Sequence, residues 1–313
     1  MSFFSGLLSA LPGAVAQGLI WGLMAIGVFI TFKVLDLADL TVDGTMATGG
    51  AVCIVMMTHG ANVWVAMLCA FLAGMLAGLI TGILHTCMGI PAILAGILTQ
   101  LALFSINLRI MDKKANVAIN PDNYKLLVSL RNVKKLTIEN PIFVAAVFTI
   151  VVIALLYWFF GTALGCSIRA TGANPSIARA QGINTNTAKV LGLVVSNGLV
   201  ALAGGLLAQY QGSATIDMGR GAIVIGMAAV IIGEVLCSRI FRNFALRLLG
   251  VSLGAVVYYL VIQVVLNLGL NTNDLKLISA FVVAIFLAVP YWKGKYFRGA
   301  AKSAAKTNAK EAK

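Results

Sequence analysis

Long apolar runs separated by short polar stretches set the plan of this chain. A helix rises 1.5 Å per residue, so about 20 apolar residues cross a bilayer core about 30 Å thick. Residues 11–32 form one such run, closed by Lys33. A polar interruption with Asp36, Asp39 and Asp43 follows, and residues 44–108 then carry no charge. Polar residues around His59 and His85, and Gly89-Ile90-Pro91, divide that stretch into spans at 44–57, 63–84 and 91–108. The first of these is short and reads as a partial helix. Further spans fall at 142–160, 190–210, 221–236, 248–268 and 277–292. The pattern predicts an all-α, polytopic membrane helix bundle of about nine segments, with eight and ten as the bounds.

Composition agrees with that plan. Of 313 residues, 60% are apolar and 11% charged, and the mean hydropathy is +0.97. A soluble domain carries about 25% charged residues. Soluble enzymes, disordered chains, coiled coils and secreted disulfide scaffolds are therefore set aside. Residues 1–11 show no basic segment and no small-residue cleavage site, so no secretory leader is expected. Gly74, Gly78 and Gly82 recur every fourth residue. That spacing puts them on one helix stripe, where a neighbouring backbone approaches closely, either within the chain or in a second copy. Gly18/Gly22 and Gly250/Gly254 repeat the motif.

The net charge of +13 sets topology rather than nucleic-acid binding. Residues 1–292 form the membrane domain, and 293–313 a basic tail holding Lys293, Lys295, Arg298, Lys302, Lys306, Lys310 and Lys313. With that tail in the cytoplasm, alternation places Arg239, Arg242 and Arg247 inside, and with them the loop 161–189. The N-terminus is then outside. The loop 111–140, with Lys113, Lys114, Lys125, Arg131, Lys134 and Lys135, also lands outside, facing an acidic partner or nothing. Basic residues near the membrane also meet anionic lipid.

Candidate chemistry is sparse. The five cysteines (Cys53, Cys69, Cys87, Cys166, Cys237) form no CxxC pair, and His59 and His85 have no carboxylate neighbour, so no metal site or disulfide framework is expected. Neither GxxxxGK[ST] nor HExxH occurs. The one GxSxG, Gly250 to Gly254, sits in an apolar span with no histidine after it. The chain is therefore expected to catalyse nothing and to bind no cofactor itself. In the loop 161–189, Asn174 suits an N-cap, Pro175 a first helical position and Gly182 a stop. They predict a short helix at 175–181, with Ile177, Ala178 and Ala180 on an apolar side and Arg179 as its cation. Such a helix between two spans serves as a lever or as a passive surface turn.

The run Arg169-Ala170-x-Gly172-x-Asn174-Pro175-x-x-Ala178-x-x-x-Gly182-Ile183, with Ala203-Gly204-Gly205 further on, resembles the permease subunits of bacterial ABC importers for branched-chain amino acids, ribose-type sugars and nucleosides. The resemblance covers about residues 10–292. It implies that 175–181 is a coupling helix, with Asn174, Pro175, Ile177, Ala178, Arg179 and Gly182 meeting a separate ATP-binding subunit that holds ATP and Mg. It also implies a permease homodimer, two ATP-binding subunits, an extracytoplasmic solute-binding protein and a bacterial inner membrane. Asp39-Leu40-Thr41-Val42-Asp43-Gly44 is similar to the family's Asp-Leu-Ser-x-Gly before a broken helix, with one extra residue before the glycine. Glu234 stands where the family commonly has glycine. Asn273-Asp274-Leu275-Lys276 resembles a subgroup that includes aromatic amino-acid importers.

A carboxylate at mid-membrane costs about 2.5–3.5 kcal/mol, so Asp39 and Asp43 lie at the surface or are compensated by ligand, backbone or partner. Transporters place broken helices with free N-termini at their binding sites. Asp39, Thr41, Asp43, Gly44 and, through the echo Thr215-Ile216-Asp217, Asp217 are therefore the candidate pathway residues. Glu234 is expected to pair with Arg239 or Arg242. The expected function is the permease of an ATP-driven importer for a small solute, with an amino acid as the expected cargo. The rival is a secondary transporter driven by an ion gradient, which would need intramembrane ionisable groups as a relay.

Overall fold

The computed structural model describes residues 3–121, 123–133, 140–237, 243–267, 277, 279–286 and 288. Helix α1 (Phe3–Phe29) runs on as a π-helical turn, Ile30–Val34. After an extended link come α2 (Thr41–Thr58), α3 (Val63–Thr86) and α4 (Ala92–Ile110). Strand β1 (Asn116–Ala118) precedes α5 (Pro141–Gly161), α6 (Ala163–Ala173) and α7 (Pro175–Ala180). Then follow α8 (Thr185–Gln211), β2 (Ser213–Thr215), α9 (Ala222–Cys237) and α10 (Phe244–Asn267). Among the described residues six helices are long and apolar enough to cross a membrane: α1, α3, α4, α5, α8 and α10. Helix α9 is apolar but shorter, and α2 is buried along nearly its whole length.

Local sequence explains the helix starts. Asn62, Asn140 and Asn184 each accept a backbone N–H two residues on, at 3.0, 2.9 and 3.1 Å. These side chains satisfy donors that a helix start otherwise leaves unpaired. Gly212, at φ 71°, ends α8 in the left-handed conformation that glycine adopts without strain.

Small residues then bring helix backbones together. Gly74 and Gly78 of α3 pack on the backbone of Asn197 and Leu193 in α8, and Gly82 on Val190, so α3 and α8 run antiparallel in close contact. Gly18 and Gly22 of α1 pack in the same antiparallel manner on Val256 and Ser252 of α10. The glycine stripe of α3 thus faces the same chain. The lipid-compatible surface lies elsewhere, on α3, α4 and α5, with Leu68, Leu76, Leu98, Ile150 and Trp158 exposed. The GxSxG residues lie inside helix α10, not at a strand-to-helix turn.

Several expectations need correction. The chain is not purely helical: β1 and β2 pair antiparallel, Asn116 opposite Thr215. The loop 161–189 holds a second helix, α6, before the short one. Glu234 pairs with Lys33 at 2.8 Å, a partner the sequence did not suggest. Arg239 and Arg242 lie outside the described residues, as do Lys134, Lys135, Asn273 to Lys276 and the tail 293–313. Of the expected span 277–292, only 277, 279–286 and 288 are described.

Candidate functional site

Two helices begin deep inside the bundle rather than at its ends. Thr45, in the first turns of α2, donates to Asn197 Oδ1 at 2.7 Å, and Asn197 lies near the middle of α8. Helix α9 begins beside the same turn. From there α2 runs toward the end carrying the β-ribbon, and α9 toward the end carrying α7, where Glu234 meets Lys33.

Each of these buried N-termini holds an aspartate. Asp43 reaches from α2 to cap α9, its two oxygens accepting the N–H groups of Gly221 at 2.8 Å and Ile223 at 3.0 Å. Asp39 caps its own helix. It accepts Thr41 N–H at 2.9 Å and Asn197 Nδ2–H at 2.7 Å, and only 3% of it is exposed. Unpaired backbone donors and the positive end of the helix dipole supply what water would otherwise give. Backbone and Asn197 are thus the compensation for these carboxylates. Asp36, exposed at φ 55°, is the one aspartate of the three that faces out.

Close approach makes this geometry possible. A Cβ on Gly219 would strike the Asp43 carbonyl, and one on Gly204 the Met46 carbonyl. Gly44 packs on α4, where an added Cβ would come within 3.2 Å of Gln100 Cα. A threonine chain ties the start of α2 to two neighbours: Thr41 to Thr81 at 2.8 Å, and Thr81 to Thr99 at 2.9 Å.

Between α2, α4 and the segment 216–220 lies a cleft of about 120 Å³. Asp43, Gly44, Asn107, Asp217 and Arg220 line it. Arg220 pairs with Asp217 at 2.9 Å, and both side chains are more than half exposed. Of the expected pathway residues, the structure brings Asp43, Gly44 and Asp217 together here. Asp39 and Thr41 lie behind, buried among α2, α3, α4 and α8. The sequence reading passed over Asn197, Thr81, Thr99, Asn107 and Arg220. Their signal was available: each is a polar residue inside, or just before, an apolar run.

At the other end, Asn174 Oδ1 accepts the N–H groups of Ser176 at 3.0 Å and Ile177 at 3.1 Å, and Pro175 takes the first helical position. Helix α7 ends at Ala180, and Gly182, at φ 81°, turns the chain back. The residues of the apolar side differ in exposure. Ala178 is buried, but Ile177 is 57% exposed, and Arg179 and Ala180 also face out. Behind α7, Gly172 of α6 packs against the Val34 carbonyl at the end of α1. A force on α7 therefore reaches α1 through α6, and α8 directly.

Comparison with known proteins follows the same lines. The sequence profile of the family described as "Branched-chain amino acid transport system / permease component" matches residues 11–290. The chain is similar to a tyrosine transport system permease protein of Clostridioides difficile, 37% identical over 90% of this chain and 91% of the relative. It is also similar to a ribose import permease protein of Haemophilus influenzae, at 28% over 60% of this chain and 58% of the relative. A fructose import permease protein of Bifidobacterium longum is 26% identical over 79% of this chain and 68% of the relative. No solved structure matches.

Proposed function

This chain belongs to the family of branched-chain amino acid transport system permease components, and we propose that it is the membrane subunit of an importer that takes in an amino acid at the expense of ATP. It is a transport permease and not an enzyme; in such systems ATP hydrolysis sits on a separate subunit.

The observation that carries the proposal is α7: a capped helix, anchored through buried Ala178, that presents Ile177 and Arg179 to the outside of the fold. Two ATP-binding subunits dock on α7 in a permease homodimer. Their closure on ATP moves α1 and α8 through the contacts of α6 and α7. The α7 end is then cytoplasmic and the N-terminus outside, with about nine membrane segments in all. A separate binding protein delivers the solute at the β-ribbon end, where Lys113 and Lys114 are exposed. Cargo passes the face that holds Asp43, Gly44 and Asp217, while Asp39 and Thr41 shape it from behind. The relative described as a tyrosine transport permease supports an aromatic amino acid as cargo.

The ion-driven alternative is weaker on this geometry. Its relay would need carboxylates free to exchange protons or ions. Asp39 and Asp43 are instead committed to helix N-termini, and Glu234 to Lys33. Uptake of labelled tyrosine into proteoliposomes holding permease, ATP-binding subunits and binding protein separates the two. The proposal expects uptake that needs enclosed ATP and survives a proton ionophore. Uptake driven by an ion gradient without nucleotide would overturn it.

A further inference from the structure

We propose that the cleft between α2, α4 and residues 216–220 binds the charged head of an α-amino acid, its ammonium and carboxylate groups, and leaves the side chain on an apolar rim. This rests on the reading that the chain carries an amino acid through the membrane, and it names the groups that hold the cargo.

Depth gives the first argument. Asp217 and Arg220 lie beside the first turns of α2, near the middle of α8, yet 59% and 63% of their side chains are exposed. A charged side chain facing hydrocarbon at that depth costs at least about 2.5–3.5 kcal/mol. The irregular backbone of 216–221 has the same requirement, because non-helical chain at membrane depth occurs where it lines a water-filled cavity or is buried in protein. The cleft therefore opens to an aqueous path.

An unmet polar group gives the second. Asn107 is 1% exposed and lines the cleft, and its Oδ1 has no hydrogen-bond partner among the described residues. A buried carbonyl oxygen left unpaired costs about 1–3 kcal/mol, and it accepts a donor such as an ammonium. Asp217 adds negative charge on that side. Arg220 supplies a planar set of N–H donors matched to a carboxylate, and only one of its nitrogens is engaged with Asp217 Oδ1. The cleft thus offers acceptors and donors side by side, which complements a zwitterion.

Size and rim give the third. The cleft, at about 120 Å³, is large enough for the head of an amino acid. Around it stand Leu101 and Phe104, 64% and 44% exposed, with Ile216. An apolar or aromatic side chain leaving the cleft meets that rim. A sugar, which carries no charge, can hydrogen-bond to Arg220 or Asp217 but gains no charge–charge attraction from either.

The test uses the full chain alone in nanodiscs, with Leu101→Cys as reporter. A water-soluble maleimide labels it, and peptide mass spectrometry reads modification at position 101. We expect Cys-directed labelling, slowed by L-tyrosine about tenfold at about ten times its half-saturation concentration, as mass action requires. Tyramine, which lacks the carboxylate, 3-(4-hydroxyphenyl)propionate, which lacks the amine, and ribose should protect less than about twofold at equal concentration. Adding Arg220→Gln should abolish protection by L-tyrosine, read as the ratio of labelling rates with and without ligand in that variant. No labelling would show that the cleft faces lipid and overturn the proposal. Labelling with no protection by L-tyrosine, or with equal protection by ribose or tyramine, would do the same. The assay contains neither ATP nor other subunits, so its outcome is independent of whether uptake is driven by ATP.

Discussion

The Asp43 carboxylate accepts the Gly221 N–H at 2.8 Å, joining residues that open two different helices running in opposite directions. It makes α2 the cap of α9. Losing such a cap costs about 0.5–2 kcal/mol, and more when the freed donors are buried. Asp43→Ala should therefore lower the midpoint of thermal unfolding in detergent. Asp43→Asn, which keeps one acceptor oxygen, should fall between that variant and the native chain. An equal effect of both would remove the capping role.

Asp39 and Asn197 form a second such pair, 2.7 Å apart, with Asn197 also accepting from Thr45. Leaving a buried carboxylate without one of its hydrogen-bond partners costs about 1–3 kcal/mol or more. Asn197→Asp places two carboxylates together and should be worse than Asn197→Ala. Combining Asp39→Asn with Asn197→Asp restores one charge and one amide, so the double variant should regain stability over Asn197→Asp alone. A double-mutant cycle on unfolding midpoints reads this coupling.

The glycine stripe of α3 predicts a ranking. An added Cβ at Gly78 meets the Leu193 carbonyl, whereas at Gly82 the nearest atoms are Val190 carbons at 3.1 Å. Overpacking costs about 1–3 kcal/mol, and backbone atoms give way least. Gly78→Ala should reduce folded yield and thermal midpoint more than Gly82→Ala. The reverse order would mean that α3 and α8 are not packed as described.

These residues also show what was legible in the chain. The expected spans at 63–84, 91–108 and 142–160 match α3, α4 and α5 within a few residues, because apolar runs and their asparagine and proline borders are local signals. Asn174, Pro175 and Gly182 marked α7 for the same reason. The capping of α9 by Asp43 was not legible, since its partners lie far along the chain and no local pattern joins them. Nor was the contact of Glu234 with Lys33, for the same reason. The β-ribbon consists of three-residue strands, too short for an alternation pattern to register. Which residues of α7 face out was not legible from residue type, and only the packing of Ala178 shows it.

The ion pair between Lys33 and Glu234 should matter little for stability. Both side chains are about 40% exposed, and exposed pairs contribute about 0–1 kcal/mol. Lys33→Ala should shift the unfolding midpoint far less than Asp43→Ala. A shift of equal size would mean that the pair is more enclosed than its exposure indicates.

The most direct test of the central claim asks what touches Ile177. A photo-crosslinking amino acid at position 177, expressed in the membrane of the source cell, reports the neighbour of α7 after illumination. The account predicts an adduct to a protein that carries the phosphate-binding sequence GxxxxGK[ST], formed from the cytoplasmic side. An adduct to lipid alone, or to a protein on the outer side of the membrane, would contradict it.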